Sequence, residues 1–121
     1  MATVLIANDY EYLNDALKGV LASQGYKAVI ARSRIEIFEK IEKHIPDIVL
    51  IDSLLEDFDN CDLCREIKTQ YLAFDMSIII LSAKNDLLKH PVKYLADAWL
   101  EKPFDIDVFL KLISFFTKKS V

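Results

Sequence analysis

"DIVLIDSLLED", residues 47–57, carries four consecutive apolar residues, Ile48 to Ile51, and ends that run on a carboxylate, Asp52. A short apolar run bounded by polar residues reads as a strand buried on both faces, as in a parallel sheet covered by helices. A buried strand that delivers a charge must place it where the chain leaves the core.

Working outward, the apolar period alternates between strand and helix. "TVLIA" (3–7) is a short run, and "YLNDALKGVLASQ" (12–24) sets Leu13, Leu17, Val20 and Leu21 on one stripe, with Gly25 as the stop. "KAVIA" (27–31) is a second strand. Ser33 is placed to cap a helix carrying Ile37, Phe38 and Ile41, and Pro46 closes the connection. After "IVLI" come a helix over 60–71, a strand "SIIIL" (77–81), a short strand "AWLE" (98–101) and a final helix "DIDVFLKLISFF" (105–116). A further helix falls between Ser82 and "AWLE", shortened or made irregular by Pro91, which forbids one helical hydrogen bond. Five apolar strands alternating with five helices predict a doubly wound α/β domain with a parallel sheet.

Length and composition bound the function. The 121 residues suit one domain, 1–121, with no room for a linker. No apolar run approaches the ~20 residues of a membrane span, and no basic stretch precedes the first strand, so a cytoplasmic domain is expected. The net charge is −4 with scattered lysines and arginines, so direct contact with nucleic acid is not expected. Cys61 and Cys64 lack the further ligands of a zinc site, since His44 and His90 lie far off. Cys64 is expected to pack beside Leu63 and Ile67 as a small hydrophobe.

In doubly wound sheets the loops beyond the carboxyl ends of the strands form the ligand site. Here those ends read Asn8-Asp9, Asp52, Ser82 and Glu101-Lys102-Pro103. Neighbouring carboxylates repel unless a cation neutralises them, and oxygen donors in an acidic, partly hydrated pocket suit Mg²⁺. A carboxylate beside Mg²⁺, a lysine and a hydroxyl is equipped to accept a phosphoryl group. Taken singly, each residue also has a structural use: an Asp after a strand can cap a helix, a Ser can start a turn and a Lys can be solvated.

The order of an Asn-Asp pair, Asp after "DIVLI", Ser in "IILSA" and then "EKPF" resembles the receiver domain of bacterial two-component response regulators, the CheY-like fold. The likeness spans the whole chain, including "QGYKAVIA" and "LCREIK". It implies strand order 2-1-3-4-5 and phosphorylation of Asp52 by a histidine kinase or phosphotransfer protein. It further implies Mg²⁺ held by Asp9, Asp52 and the Leu54 carbonyl, with Asn8 acting indirectly. Ser82 and Lys102 would contact the phosphoryl group, Trp99 would take the place of the switching aromatic ring, and the bond before Pro103 would be cis. Such a domain is a monomer or weak dimer that signals to an output domain or partner protein. It catalyses at most its own phosphorylation and dephosphorylation.

Departures from the family pattern are also visible. Asn8 stands where the first acid is usual, Glu56 replaces a proline, Asn60 replaces a glycine, and Leu95 occupies a habitual glycine position. A pseudo-receiver, an interaction module that keeps the fold without phosphorylation, is the rival reading. A haloacid-dehalogenase-like phosphatase needs a second Asp where Leu54 stands. A flavodoxin needs a Ser/Thr/Gly phosphate loop where this chain has "NDYEY", and Gly19 and Gly25 are the only glycines.

Overall fold

The computed structural model describes residues 2–53, 62–83 and 95–118. Within them run β1 (Thr3–Ala7), α1 (Glu11–Ser23), β2 (Lys27–Ala31), α2 (Arg34–His44), β3 (Ile48–Asp52), α3 (Asp62–Gln70), β4 (Ser77–Ala83), β5 (Ala98–Lys102) and α4 (Ile106–Lys118). All strand pairs are parallel, in the order β2-β1-β3-β4-β5. The doubly wound sheet is therefore as the sequence predicts. The helix expected around Pro91, and the positions of Leu54, Glu56, Asn60, Cys61 and His90, lie outside the described residues.

Alternation along each strand sorts the core into two layers. Leu5, Ala7, Val49, Ile51, Ile78 and Ile80 pack with Ile37 and Ile41 of α2 and with Leu63, Cys64 and Ile67 of α3. Val4, Ile6, Ile48, Leu50, Ile79 and Leu81 pack with Leu17 and Leu21 of α1 and Phe109 and Ile113 of α4. Because both faces are covered, the central strands need apolar residues at every position, which is why "IVLI" shows no alternation in the sequence. Cys64 is fully buried beside Leu63 and Ile67, as a small hydrophobe.

Local chemistry sets the helix ends. Gly25, at φ +85°, follows α1; its N–H donates to the Ala22 carbonyl at 3.1 Å and that of Tyr26 to Leu21 at 3.0 Å. This is the paired hydrogen bonding of a glycine-terminated helix. The Ser33 hydroxyl accepts from the Glu36 N–H at 3.2 Å and caps α2. The end of α2 departs from local preference: Ile45, a β-branched residue, adopts φ 45°. A left-handed β-branched residue costs ~1–2 kcal/mol, and Ile45 is 53% exposed, so little burial repays it. Ile45→Gly is therefore expected to raise stability by about 0.5–1 kcal/mol, read as a melting temperature about 2–4 °C higher. An unchanged or lower melting temperature would show that the isoleucine side chain contributes more than its conformation costs.

At the amino edge of the sheet, two aspartates cap the neighbouring strands. Asp47 Oδ2 accepts from the Thr3 N–H at 2.8 Å. Asp97 Oδ2 accepts from the Ile78 N–H at 2.7 Å and from Lys68 Nζ at 2.7 Å. On one side, α2 and α3 are tied by an Arg34–Glu66 ion pair and by the stack of Phe38 on Tyr71. Burial, and then the Glu42 carboxylate, push the Tyr71 hydroxyl above its ordinary pKa.

Candidate functional site

Strand register builds the site at the carboxyl edge. Ala7 pairs with Ile51, so the next residues, Asn8 and Asp52, leave adjacent strands at the same level. Asp52 in turn pairs with Leu81, Ser82 with Glu101, and Ala83 with Lys102. Strands lie about 4.8 Å apart, so the ends of β1, β3, β4 and β5 form one short row. The Ser53 N–H donates to the Leu81 carbonyl at 2.8 Å and holds the β3 end against β4.

Within this row Asp52 is buried, its side chain 2% exposed, and Lys102 Nζ donates to its Oδ2 at 2.5 Å. A buried carboxylate is stable only when paired or hydrogen-bonded, and this one is held by a cation delivered from the edge strand two places away. Asn8 is likewise buried, at 2% exposure, and its Nδ2 donates to the Tyr10 carbonyl at 3.3 Å. Asp9, one residue on, is exposed. Ser82 is buried at the end of β4. The Lys102–Pro103 peptide bond is cis. Trp99 lies in the edge strand β5, opposite Ile80, with 43% of its surface exposed. Of the residues expected to form the phosphoacceptor and metal site, Leu54 lies outside the described residues.

The donor set suits a hard cation. Among the described residues no three His, Cys, Asp or Glu side chains converge as a metal cluster, in keeping with an amide at position 8. Among the described residues the oxygen-bearing side chains at this edge include the Asp9 and Asp52 carboxylates, the Asn8 amide and the Ser82 hydroxyl. Among the described residues two buried side-chain oxygens have no partner: Ser53 Oγ, in the residue after Asp52, and Oδ1 of Asn14, the residue whose Nδ2 donates to the Asn8 carbonyl at 2.8 Å. Mg²⁺ keeps several waters and takes only one or two carboxylates, so acceptors for those waters fit the ion as well as direct ligands do. Asn14 is the residue that sequence reasoning missed. Its trace was a polar side chain three and seven residues before Leu17 and Leu21, on the buried stripe of α1.

The model of the response regulator receiver domain family matches residues 4–114. The chain belongs to this family. It is a signalling domain of two-component systems. The response regulator MprA of Mycobacterium sp. (strain KMS) is 27% identical over 110 residues, covering 88% of this chain but 46% of that protein. The receiver domain thus spans about half the length of the curated relatives it matches. A candidate response regulator from Chloroflexus aurantiacus superimposes with a TM-score of 0.84 at 27% identity, covering 95% of this chain and 96% of that one. A response regulator receiver domain protein from Clostridium thermocellum gives a TM-score of 0.86 at 23% identity, covering 99% and 97%. No described helix is long and apolar enough to cross a membrane.

Proposed function

We propose that this receiver domain is a phosphorylation-dependent switch in which Asp52 accepts a phosphoryl group from a histidine kinase or phosphotransfer protein. The observation that carries this reading is the buried Asp52 carboxylate, 2.5 Å from Lys102 Nζ and level with Asn8 at the carboxyl edge of the sheet. An Asp52 oxygen attacks phosphorus, the bond from phosphorus to the donor atom breaks, and the donor leaves with its electron pair. Lys102 stays beside the reacting oxygens as a fixed positive charge. Mg²⁺, held by Asp9, Asp52, the Leu54 carbonyl and indirectly Asn8, would neutralise the charge on the transferred oxygens. The setting we propose is cytoplasmic, with output through a further segment or a partner protein and no contact of this domain with nucleic acid.

The test is incubation with Mg²⁺ and a small phosphodonor such as acetyl phosphate. One acid-labile, hydroxylamine-sensitive phosphoryl group per chain is the expected product. A folded chain that stays unlabelled with small donors and with histidine-phosphorylated proteins would leave an interaction module that keeps the fold without the chemistry.

The only tryptophan reports on the switch. Ser82, bonding the phosphoryl oxygen in one conformer, would vacate space that the Trp99 ring fills. Because that ring starts 43% exposed, it has surface left to bury. Mg²⁺ with beryllofluoride is expected to move Trp99 emission to shorter wavelength, and far less so in Ser82→Ala. Equal shifts in both proteins would uncouple Trp99 from Ser82.

A further inference from the structure

We propose that Asn14 is a positioning residue for the metal-binding edge, fixing the turn between β1 and α1 that presents Asn8 and Asp9. The proposal rests on the Mg²⁺ site of the preceding subsection. Asn14 is 1% exposed and shares the buried stripe of α1 with Leu17 and Leu21, a place where an apolar side chain would pack without loss. Its amide is used instead on the turn. Nδ2 donates to the Asn8 carbonyl at 2.8 Å, while its backbone N–H donates to the Tyr10 carbonyl at 3.1 Å. The same Tyr10 carbonyl accepts from Asn8 Nδ2 at 3.3 Å, and the Asn8 N–H donates to Ala31 at 3.0 Å.

Two asparagines and two carbonyls therefore close a small knot around Asp9. The knot stands in for an ordinary cap: Tyr10, at the cap position of α1, makes no side-chain bond to the helix. The other half of the Asn14 amide points to a role beyond folding. Oδ1 is a buried acceptor that no donor among the described residues satisfies. A buried polar atom is normally paired, and the water shell that Mg²⁺ retains is the kind of donor the neighbouring site would bring.

The test compares the parent with Asn14→Leu, close in size and wholly apolar. Mg²⁺ affinity is measured by calorimetric titration well below the melting temperature, and amide hydrogen exchange over residues 8–14 is measured without metal. The expected result is a Kd about fivefold weaker and exchange about fivefold faster over that segment, as for one lost hydrogen bond, with exchange in β3 and α4 unchanged. Asn14→Asp, which keeps Oδ1 but loses the donor, should speed the same amides. An unchanged Kd together with unchanged exchange in Asn14→Leu would overturn the proposal and leave Asn14 as a tolerated polar residue in the core. A parent that binds no Mg²⁺ would count against the metal site itself, and the metal-free exchange comparison would then decide the role of Asn14 alone.

Discussion

Asp52→Asn is expected to remove all phosphoryl uptake while the domain stays folded. Carboxylate and amide have nearly the same shape, and the Asn oxygen still accepts from Lys102, which at 25% side-chain exposure can also turn its ammonium toward water. The nucleophile is lost, since a neutral amide oxygen is a far weaker attacking atom than a carboxylate. Labelling with acetyl phosphate should fall to background. The melting transition should remain cooperative, because the strand that carries residue 52 is held by Ile48 to Ile51 in both core layers. Undiminished labelling of the variant would move the acceptor to another residue.

Asn8→Asp is expected to tighten Mg²⁺ binding by about tenfold. A unit negative charge about 5 Å from a divalent ion gains roughly 2–3 kcal/mol at a dielectric constant between those of protein surface and bulk water. Against this stands the loss of the Asn8 Nδ2 bond to Tyr10, which at 3.3 Å contributes less than about 1 kcal/mol. The Coulomb gain wins. Without metal the sign reverses, since another carboxylate beside Asp52 adds repulsion. The variant should therefore melt lower than the parent in chelator and recover when Mg²⁺ is added. Titration calorimetry giving an equal or weaker Kd would place residue 8 outside the metal's reach.

Much of this molecule could be read before folding because its strands are continuous apolar runs and its stops are chemically distinct. Gly25 and Ser33 each act through their own backbone or hydroxyl, so their roles are local and visible in the sequence. Asp52 could be read because a carboxylate at the end of "IVLI" has no place in the core. Residues whose role depends on a distant partner were harder to read. Leu13 and Val20 look like members of the stripe of α1 but only flank its core layer, whereas Asn14 lies at full depth. Its reason for being there, the Asn8 carbonyl, comes into reach only once β1 and α1 fold together. Ile45 breaks the local rule outright: its left-handed conformation is imposed where α2 ends and the chain turns through Pro46 into β3. Strand lengths also ran past expectation, to Ala83 in β4 and Lys102 in β5, because parallel pairing continues through the polar residues of the site.

The two aspartates at the amino edge of the sheet give the molecule a direction. Backbone N–H groups at a sheet edge are natural seats for anions, and at this end those of Thr3 and Ile78 are already taken by Asp47 and Asp97. The Asp47 carboxylate also places a negative charge there, while that of Asp97 is paired with Lys68, so an anion approaching that end meets amides already occupied. At the opposite end Lys102 is paired with Asp52, and a bound cation there would supply the positive charge that attracts a phosphoryl group. The sheet thus has one pole whose amides are spent on its own carboxylates and another where the polar strand ends, Lys102 among them, are gathered.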